Sequence, residues 1–433
     1  MRIALSLLVL CTVIGGSTVL AQDVPQAFVG ARLIPIAGPE IPDGVVVVHE
    51  GRIVAVGPTS STQIPADAQR HDAGGTTIMP GLVDTHSHIG SPEGGDSSGP
   101  LHPDVRVLDS INVRDARLQK AQAGGITTVN VMSGSGHLLS GQTVYLKLRD
   151  AWTIDDLAIY REDGQVAGGM KMANGTNSRR PPPFPSTRAK SAAMVREQFL
   201  KAQDYRLKTQ QADSEEDRPA RDLRMEGLLE VLDGTRVVHH HTHRHDDVLT
   251  VLRLAEEFGF RPVLHHVSDA WLVADEIAEA GVPSSLIFVD SPGGKLEAKD
   301  NTFESGAALE QAGAMVGFHT DDGITDSRLF MRQAGLAVRA GMSRAGALAG
   351  LTLSGARMLD LDDRVGSLEV GKDADLVVLS GDPLSVYTHV LETWVDGVKV
   401  FDRSDPTDRL YAVGGYGASH DQGVMHELER EAR

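Results

Sequence analysis

A chain of 433 residues is long enough for two or three ordinary domains, or for one large barrel with an appendage. Hydrophobic residues make up 41% and charged residues 23%, the balance of a globular protein with a sizeable core. The formal net charge of −18 argues against nucleic acid and anionic membrane as partners, because both would be repelled.

The chain opens MRIALSLLVLCTVIGGSTVLAQD: one early cation, Arg2, then an apolar run, then small residues around Val19 and Ala21. This pattern predicts a secretory leader over 1–21, cleaved after Ala21, and a periplasmic or secreted product. An uncleaved anchor is the alternative, weakened by the interruption at Gly15, Gly16 and Ser17. The single cysteine, Cys11, falls inside the leader. The mature chain is therefore expected to hold any transition metal by nitrogen and oxygen alone, with no membrane span.

Residues 22–78 alternate short apolar runs with turn signals, and DGVVVVHEGRIVAVG reads as two strands around a tight turn near Glu50–Gly51. The same texture returns over 363–403, in VGSLEVGKDADLVVLSGD and VLETWVDGVKVF. One small β-sandwich built from both ends of the chain is expected; two unrelated hairpins are the alternative. Between them, 79–362 alternates strand-like runs with helical stretches. The strands are GITTVNVM, TVYLKL, GGMKMA, RVVHHH, RPVLHH, SLIFVD and AMVGFH. DVLTVLRLAEEFG, AWLVADEIAEAG and RLFMRQAGLAVRAGM place apolar residues three and four apart and read as helices. Repeated strand–helix units predict an α/β fold with a parallel sheet, here a TIM-like (β/α)8 barrel. A doubly wound open sheet is the runner-up, without the glycine-rich phosphate fingerprint. Residues 176–222 interrupt the rhythm with a proline-rich start and a charged helical run, either a lid over the barrel mouth or a solvated insertion. Residues 404–433 are a C-terminal tail.

The chemistry-bearing residues gather where strands end. In PGLVDTHSHIG, His86 and His88 are two apart in an extended run, so both imidazoles share a face and reach one ion. Asp84 shares that face and is placed to orient a ligand histidine. Three further strands end in HHH, HH and HTDD, at the edge where barrel active sites form. In the run RVVHHHTHRHDDV, His239, His241 and His243 share a face and His240 points away. His137, in the glycine-rich SGSGHLLSG, either faces the pocket to bind substrate or sits in a surface turn. Arg179, Arg180 and Arg188 either hold an anionic substrate group or are solvated cations.

With these residues in view, the sequence resembles the amidohydrolase superfamily, in its imidazolonepropionase-like and prolidase-like branch. The resemblance runs through PGLVDTHSHI, HHTHRHDDV, LHHVSD, HTDDGITDS and RVGSLEVGKDADLVVLSGDP, over nearly all of the mature chain except the last thirty or so residues. It implies His86 and His88 as paired ligands of the first strand, His241 of the fifth, His266 of the sixth and Asp321 of the eighth. It favours His241 over the alternative His240, His266 over His265 and Asp321 over Asp322. His239 is expected one layer deeper as a hydrogen-bonded core residue, and His245 as solvated or helix-starting. His243 and Arg244 fall in the following loop as substrate-binding candidates. In one place the chain departs from the family: where relatives carry a glutamate in a GEN-like stretch, it has Thr176 in ANGTN. Lys171 becomes the candidate bridging ligand as a carbamate; its alternative is a carboxylate-binding or salt-bridged lysine.

The resemblance implies a divalent metal, zinc foremost, one or two ions per chain, activating a hydroxide against an amide-like carbon. Asp321 would act as general base and then acid, and His266 as ligand or oxyanion stabiliser. The expected activity is hydrolysis of a C–N bond in a cyclic amide, N-acylated amino acid or dipeptide, with a small molecule as partner and homo-oligomerisation left open. Lactone or phosphoester hydrolysis on the same site is the rival activity. A catalytically inactive metal- or ligand-binding relative is the other alternative.

Overall fold

A computed structural model of the chain describes residues 24–92, 95–291 and 295–414. The expected leader and residues 415–433 of the tail lie outside them. No helix among the described residues is long and apolar enough to cross a membrane.

The N-terminal segment forms β1 (Gln26–Leu33), β2 (Ile41–His49), β3 (Arg52–Pro58), β4 (Gln69–Asp72) and β5 (Thr77–Pro80). β2 and β3 are antiparallel, and Glu50 and Gly51 between them both take positive φ, 49° and 75°. That is the turn whose twist matches paired strands. At the far end, β15 (Leu376–Leu379), β16 (Val390–Val395) and β17 (Val398–Asp402) form a meander, and β15 pairs antiparallel with β5. Both chain ends thus meet in one eight-stranded sheet, in the order β17-β16-β15-β5-β1-β2-β3, with β4 on β1. Phe28, Leu33, Val46, Ile78, Leu376 and Trp394 pack one face, and Phe28 meets the Trp394 ring edge-on at 5.0 Å.

The middle of the chain supplies two sheets. In one, β6 (Leu82–Ser87) lies parallel to β7 (Ile126–Val131), and β9 (Val144–Lys147) antiparallel to β7. In the other, β10 (Met170–Ala173), β11 (Val238–Thr242), β12 (Pro262–His266), β13 (Ser284–Leu286) and β14 (Val316–Phe318) are all parallel, and β8 (Leu139–Gln142) runs antiparallel to β10. The TVYLKL strand is therefore not one of the parallel units expected from the alternation. Only seven residues separate β7 from β8, too few for the crossover a parallel return needs. β8 and β9 are separated by Thr143 alone and carry one sheet into the other. On the opposite side Thr85 Oγ1 contacts Ser285 Oγ at 2.7 Å, and the Asp321 N–H donates to His86 O at 2.9 Å, tying β6 to β13 and to the segment after β14. Gly168, where a Cβ would lie 2.0 Å from Thr143 O, lets the chain entering β10 approach the β8–β9 run.

The helices sit where the apolar spacing placed them: His245–Phe258, Ala274–Glu279 and Phe330–Arg339. The first ends at Gly259, φ 75°, the left-handed residue that closes many helices. From the insertion, the 24-residue helix Arg188–Gln211 starts at Thr187, whose hydroxyl accepts from the Lys190 N–H. It buries Val195, Phe199 and Ala202 against Leu139, Met170, Val238 and Phe258, on the outer side of the sheet. The proline-rich segment 176–187 is the part that reaches the strand ends.

Lys147 on β9 is fully buried and bonds three carboxylates, Asp373 at 2.7 Å, Asp375 at 2.9 Å and Asp396 at 2.7 Å. The last three flank β15 and β16, so this cluster fastens the terminal sheet to the middle one.

Candidate metal centre

At the C-terminal ends of β6, β11, β12 and β14, histidines and one aspartate converge. A donor atom from each of His86, His88 and Asp321 lies within 4.8 Å of the others; the same holds for His241, His243 and His266, and for His86, His265 and His319. The rings of His241 and His266 are 4.3 Å apart, and those of His86 and His266 5.1 Å. Asp321 Oδ1 lies 2.8 Å from His88 Nε2 and 3.3 Å from His86 Nε2. Lys171 Nζ, fully buried, lies 3.2 Å from His86 Nε2.

Backbone strain aims two of these groups. His266 has φ 71° and Asp321 φ 48°, the left-handed region that residues with a Cβ seldom adopt. The twist after β12 lets neighbours His265 and His266 both face inward, against strand alternation. Asp322 instead turns to the chain, accepting from the Ser327 N–H at 3.1 Å and hydroxyl at 2.7 Å. Asp84 accepts from the Thr320 hydroxyl at 2.6 Å and N–H at 3.1 Å, and from the His86 N–H at 3.2 Å, so it holds the backbone of two ligand strands.

The donor set fits a cation. The His88 Nδ1–H donates to Met132 O at 2.7 Å, which turns Nε2 toward the Asp321 carboxylate, where either a proton or a cation sits between the two. Two acceptors at that distance repel unless a proton or a cation lies between them. His86 Nδ1, both nitrogens of His241, His265 Nδ1 and His266 Nε2 are buried with no hydrogen-bond partner among the described residues. Each such group costs about 1–3 kcal/mol, and proteins seldom leave several together without a ligand. Burial pushes His86, His241, His265 and His266 well below the usual imidazole range, so they are neutral donors. Burial works to raise Asp321, but the hydrogen bond and charge of His88, with His319 and Lys171, hold it below the ordinary carboxylate value. Burial lowers Lys171 to about 7.

The other sequence candidates are distributed differently. His239 lies deeper, bonding Tyr145 Oη at 2.9 Å and His265 Nε2 at 3.0 Å. His240 turns its Nδ1 to the His241 carbonyl. His243 joins the cluster, stacked on His266 at 5.1 Å with its Nδ1 2.9 Å from Ser268 Oγ. Arg244 forms a fork with Asp246 on the first turn of its helix, and His245 starts that helix against Asp269. His137 is buried beside His102 and Phe184, with Gly95 close to its ring, in a nest separate from the cluster. Arg180 covers the Phe184 ring and bonds Gly136 O, and Arg179 bonds Gly175 O. Arg188 pairs with Asp247 and Glu297.

Four participants escaped the sequence reading: His265, except as the alternative to His266, and His319, Lys295 and Glu297. The motif FHTDD displayed His319, but its ring is aimed by Ser285, 2.9 Å from Nδ1, a contact no spacing reveals. Glu297 lies buried beside Thr176, accepting from its N–H at 2.9 Å and its hydroxyl at 2.6 Å. Its oxygens are occupied by Thr176 and Arg188.

The chain is similar to several known proteins. The family described as "Amidohydrolase family" matches residues 229–401. An amidohydrolase of Thermotoga maritima of known structure is 34% identical, with a TM-score of 0.81, over 87% of this chain and 100% of that one. The imidazolonepropionase of Rhizobium rhizogenes is 26% identical over 83% of this chain and 92% of its own. Amidohydrolase tasK of Hapsidospora irregularis is 28% identical over 83% of this chain, which spans only 40% of that longer protein.

Proposed function

The chain belongs to the amidohydrolase superfamily, in its imidazolonepropionase-like branch, and on that premise we propose a metal-dependent hydrolase of the C–N bond in a small amide, cyclic amide or dipeptide-like substrate. The reading takes the two middle sheets as one closed barrel with the terminal sheet as its appendage. The observation that carries it is three close groups of imidazole donors at the strand ends, one of them completed by the Asp321 carboxylate, with several buried imidazole nitrogens left without a hydrogen-bond partner among the described residues.

His86, His88 and Asp321 would hold one divalent ion, and His241 and His266 a second, with zinc the first choice for nitrogen and oxygen donors. A bound ion supplies Lewis acidity and lowers the pKa of water toward about 7. Asp321, held below the ordinary carboxylate value chiefly by its contact with His88, would accept the proton of the attacking water and return it to the leaving nitrogen. The Met132 carbonyl fixes the His88 tautomer, and Asp84 holds the His86 and Thr320 backbones against each other. Lys171, lowered to about 7 by burial, can add its free amine to carbon dioxide with release of a proton, and the resulting carbamate would offer oxygen donors to divalent ions. Thr176 contributes no carboxylate, and Glu297 beside it is engaged elsewhere.

The test is metal analysis joined to turnover. The purified protein should contain one or two divalent ions per chain, and His86→Ala should lose most of them. On a panel of N-acyl amino acids, dipeptides, cyclic amides and lactones, Asp321→Asn should abolish turnover of whichever is hydrolysed. Full activity after exhaustive chelation defeats the proposal; turnover of lactones alone transfers it to the ester-cleaving rival.

A further inference from the structure

Lys295 lies on the loop after β13, with Nζ 3.5 Å from His243 Nε2. His243 in turn stands edge-on to His241, ring centres 4.7 Å apart, and stacks on His266. The ammonium therefore stands one residue away from the donors assigned to the second ion. Among the described residues no carboxylate forms an ion pair with it, although the protein carries a net charge of −18. The loop is not left to chance. Two residues on, Glu297 is buried and clamped by the Thr176 N–H and hydroxyl and by Arg188. A buried anchor thus lies two residues from Lys295, which stands beside the cluster with burial opposing its charge and Asp321 and Glu297 favouring it. Ser268 fixes the His243 ring from its other nitrogen, at 2.9 Å.

Resting on the hydrolase reading above, we propose that Lys295 and His243 form the subsite for an anionic group of the substrate, a carboxylate next to the scissile bond. The acidic surface repels anions at long range, so selection for one must come from a local, fixed cation. An ammonium–carboxylate contact with a flanking imidazole supplies that, and it orients the substrate so that its C–N bond faces Asp321. Substrates with a free carboxylate, such as N-acyl amino acids, are then preferred over their carboxamides.

The experiment compares N-acetyl-L-amino acids with the matching N-acetyl-L-amino acid carboxamides on metal-loaded wild type, Lys295→Met and Lys295→Arg. In Lys295→Met the acid-to-carboxamide ratio of kcat/KM should fall about ten- to a hundredfold, the range of a hydrogen bond to a charged group. Lys295→Arg should recover much of the preference, and metal content should stay at the wild-type level. A ratio within threefold of wild type in Lys295→Met overturns the assignment while leaving the hydrolase intact. Should wild type hydrolyse neither series, the hydrolase reading is decided by the cyclic amides and dipeptides of the wider panel. The subsite is then read by calorimetry with N-acetyl-L-leucine and its carboxamide: a preference for the acid that Lys295→Met removes supports it, and equal binding by wild type overturns it.

Discussion

Acidifying the metal-stripped protein from pH 7.5 to 5.5 should cost a large part of its stability. His239, His240, His243 and His319 are lowered to about 3, chiefly by burial, whereas an unfolded imidazole titrates near 6.5. The unfolded chain therefore takes up protons in this window that the folded chain refuses. Their contribution is fully present above about 6.5 and is lost as the pH falls toward 3. Between 7.5 and 5.5 each side chain costs about 1.4 kcal/mol, and the four together about 5 kcal/mol. Lys171, lowered to about 7 by burial, loses about 1 kcal/mol more as the folded chain takes its proton late. Asp84 opposes them: burial raises it to about 7, so the folded chain binds a proton that the unfolded one does not, returning about 2 kcal/mol. The net loss is about 4 kcal/mol, against a typical total of about 5–15 kcal/mol. His86, His241, His265 and His266 shift in the same direction and add to it. Urea unfolding of chelator-treated protein at the two pH values measures the difference. A change under about 1 kcal/mol, or a gain on acidification, refutes the claim that the cluster is neutral because it is desolvated.

Lys147→Met should destabilise by about 3–5 kcal/mol, since it leaves buried Asp375 without a cation and Asp373 and Asp396 with only their arginine partners; a melting temperature within a degree or so of wild type would contradict this. Lys171→Ala should lower the metal content by about one ion per chain under the bridging assignment, and an unchanged count by mass spectrometry removes that assignment. Glu297→Gln should free the proline-rich segment, so that trypsin cuts after Arg179 several-fold faster under native conditions; wild-type cleavage rates would show that the Thr176 and Arg188 contacts do not hold it.

Much of this molecule was legible along the chain. The apolar spacing marked the helices, the β-branched runs marked the strands, and His86 with His88 announced a shared face, because side-chain periodicity is a local property of the backbone. The family pattern selected His241, His266 and Asp321 from adjacent alternatives, and the geometry brings all three to the cluster. Alternation alone misleads at such places: left-handed twists at His266 and Asp321 break the period of two just where the candidate donors gather. The antiparallel β8–β9 run looked like another parallel unit because strand direction is set by connection length and by partners, not by composition.

What the sequence by itself determined is therefore the element types and the family, both encoded within short windows. Only the tertiary structure decided that Glu297 meets Thr176 across 121 positions, that Lys295 stands over His243, and that Lys147 gathers carboxylates from beyond residue 370. Contacts of that range depend on how loops close over the strand ends, and no local periodicity carries that information.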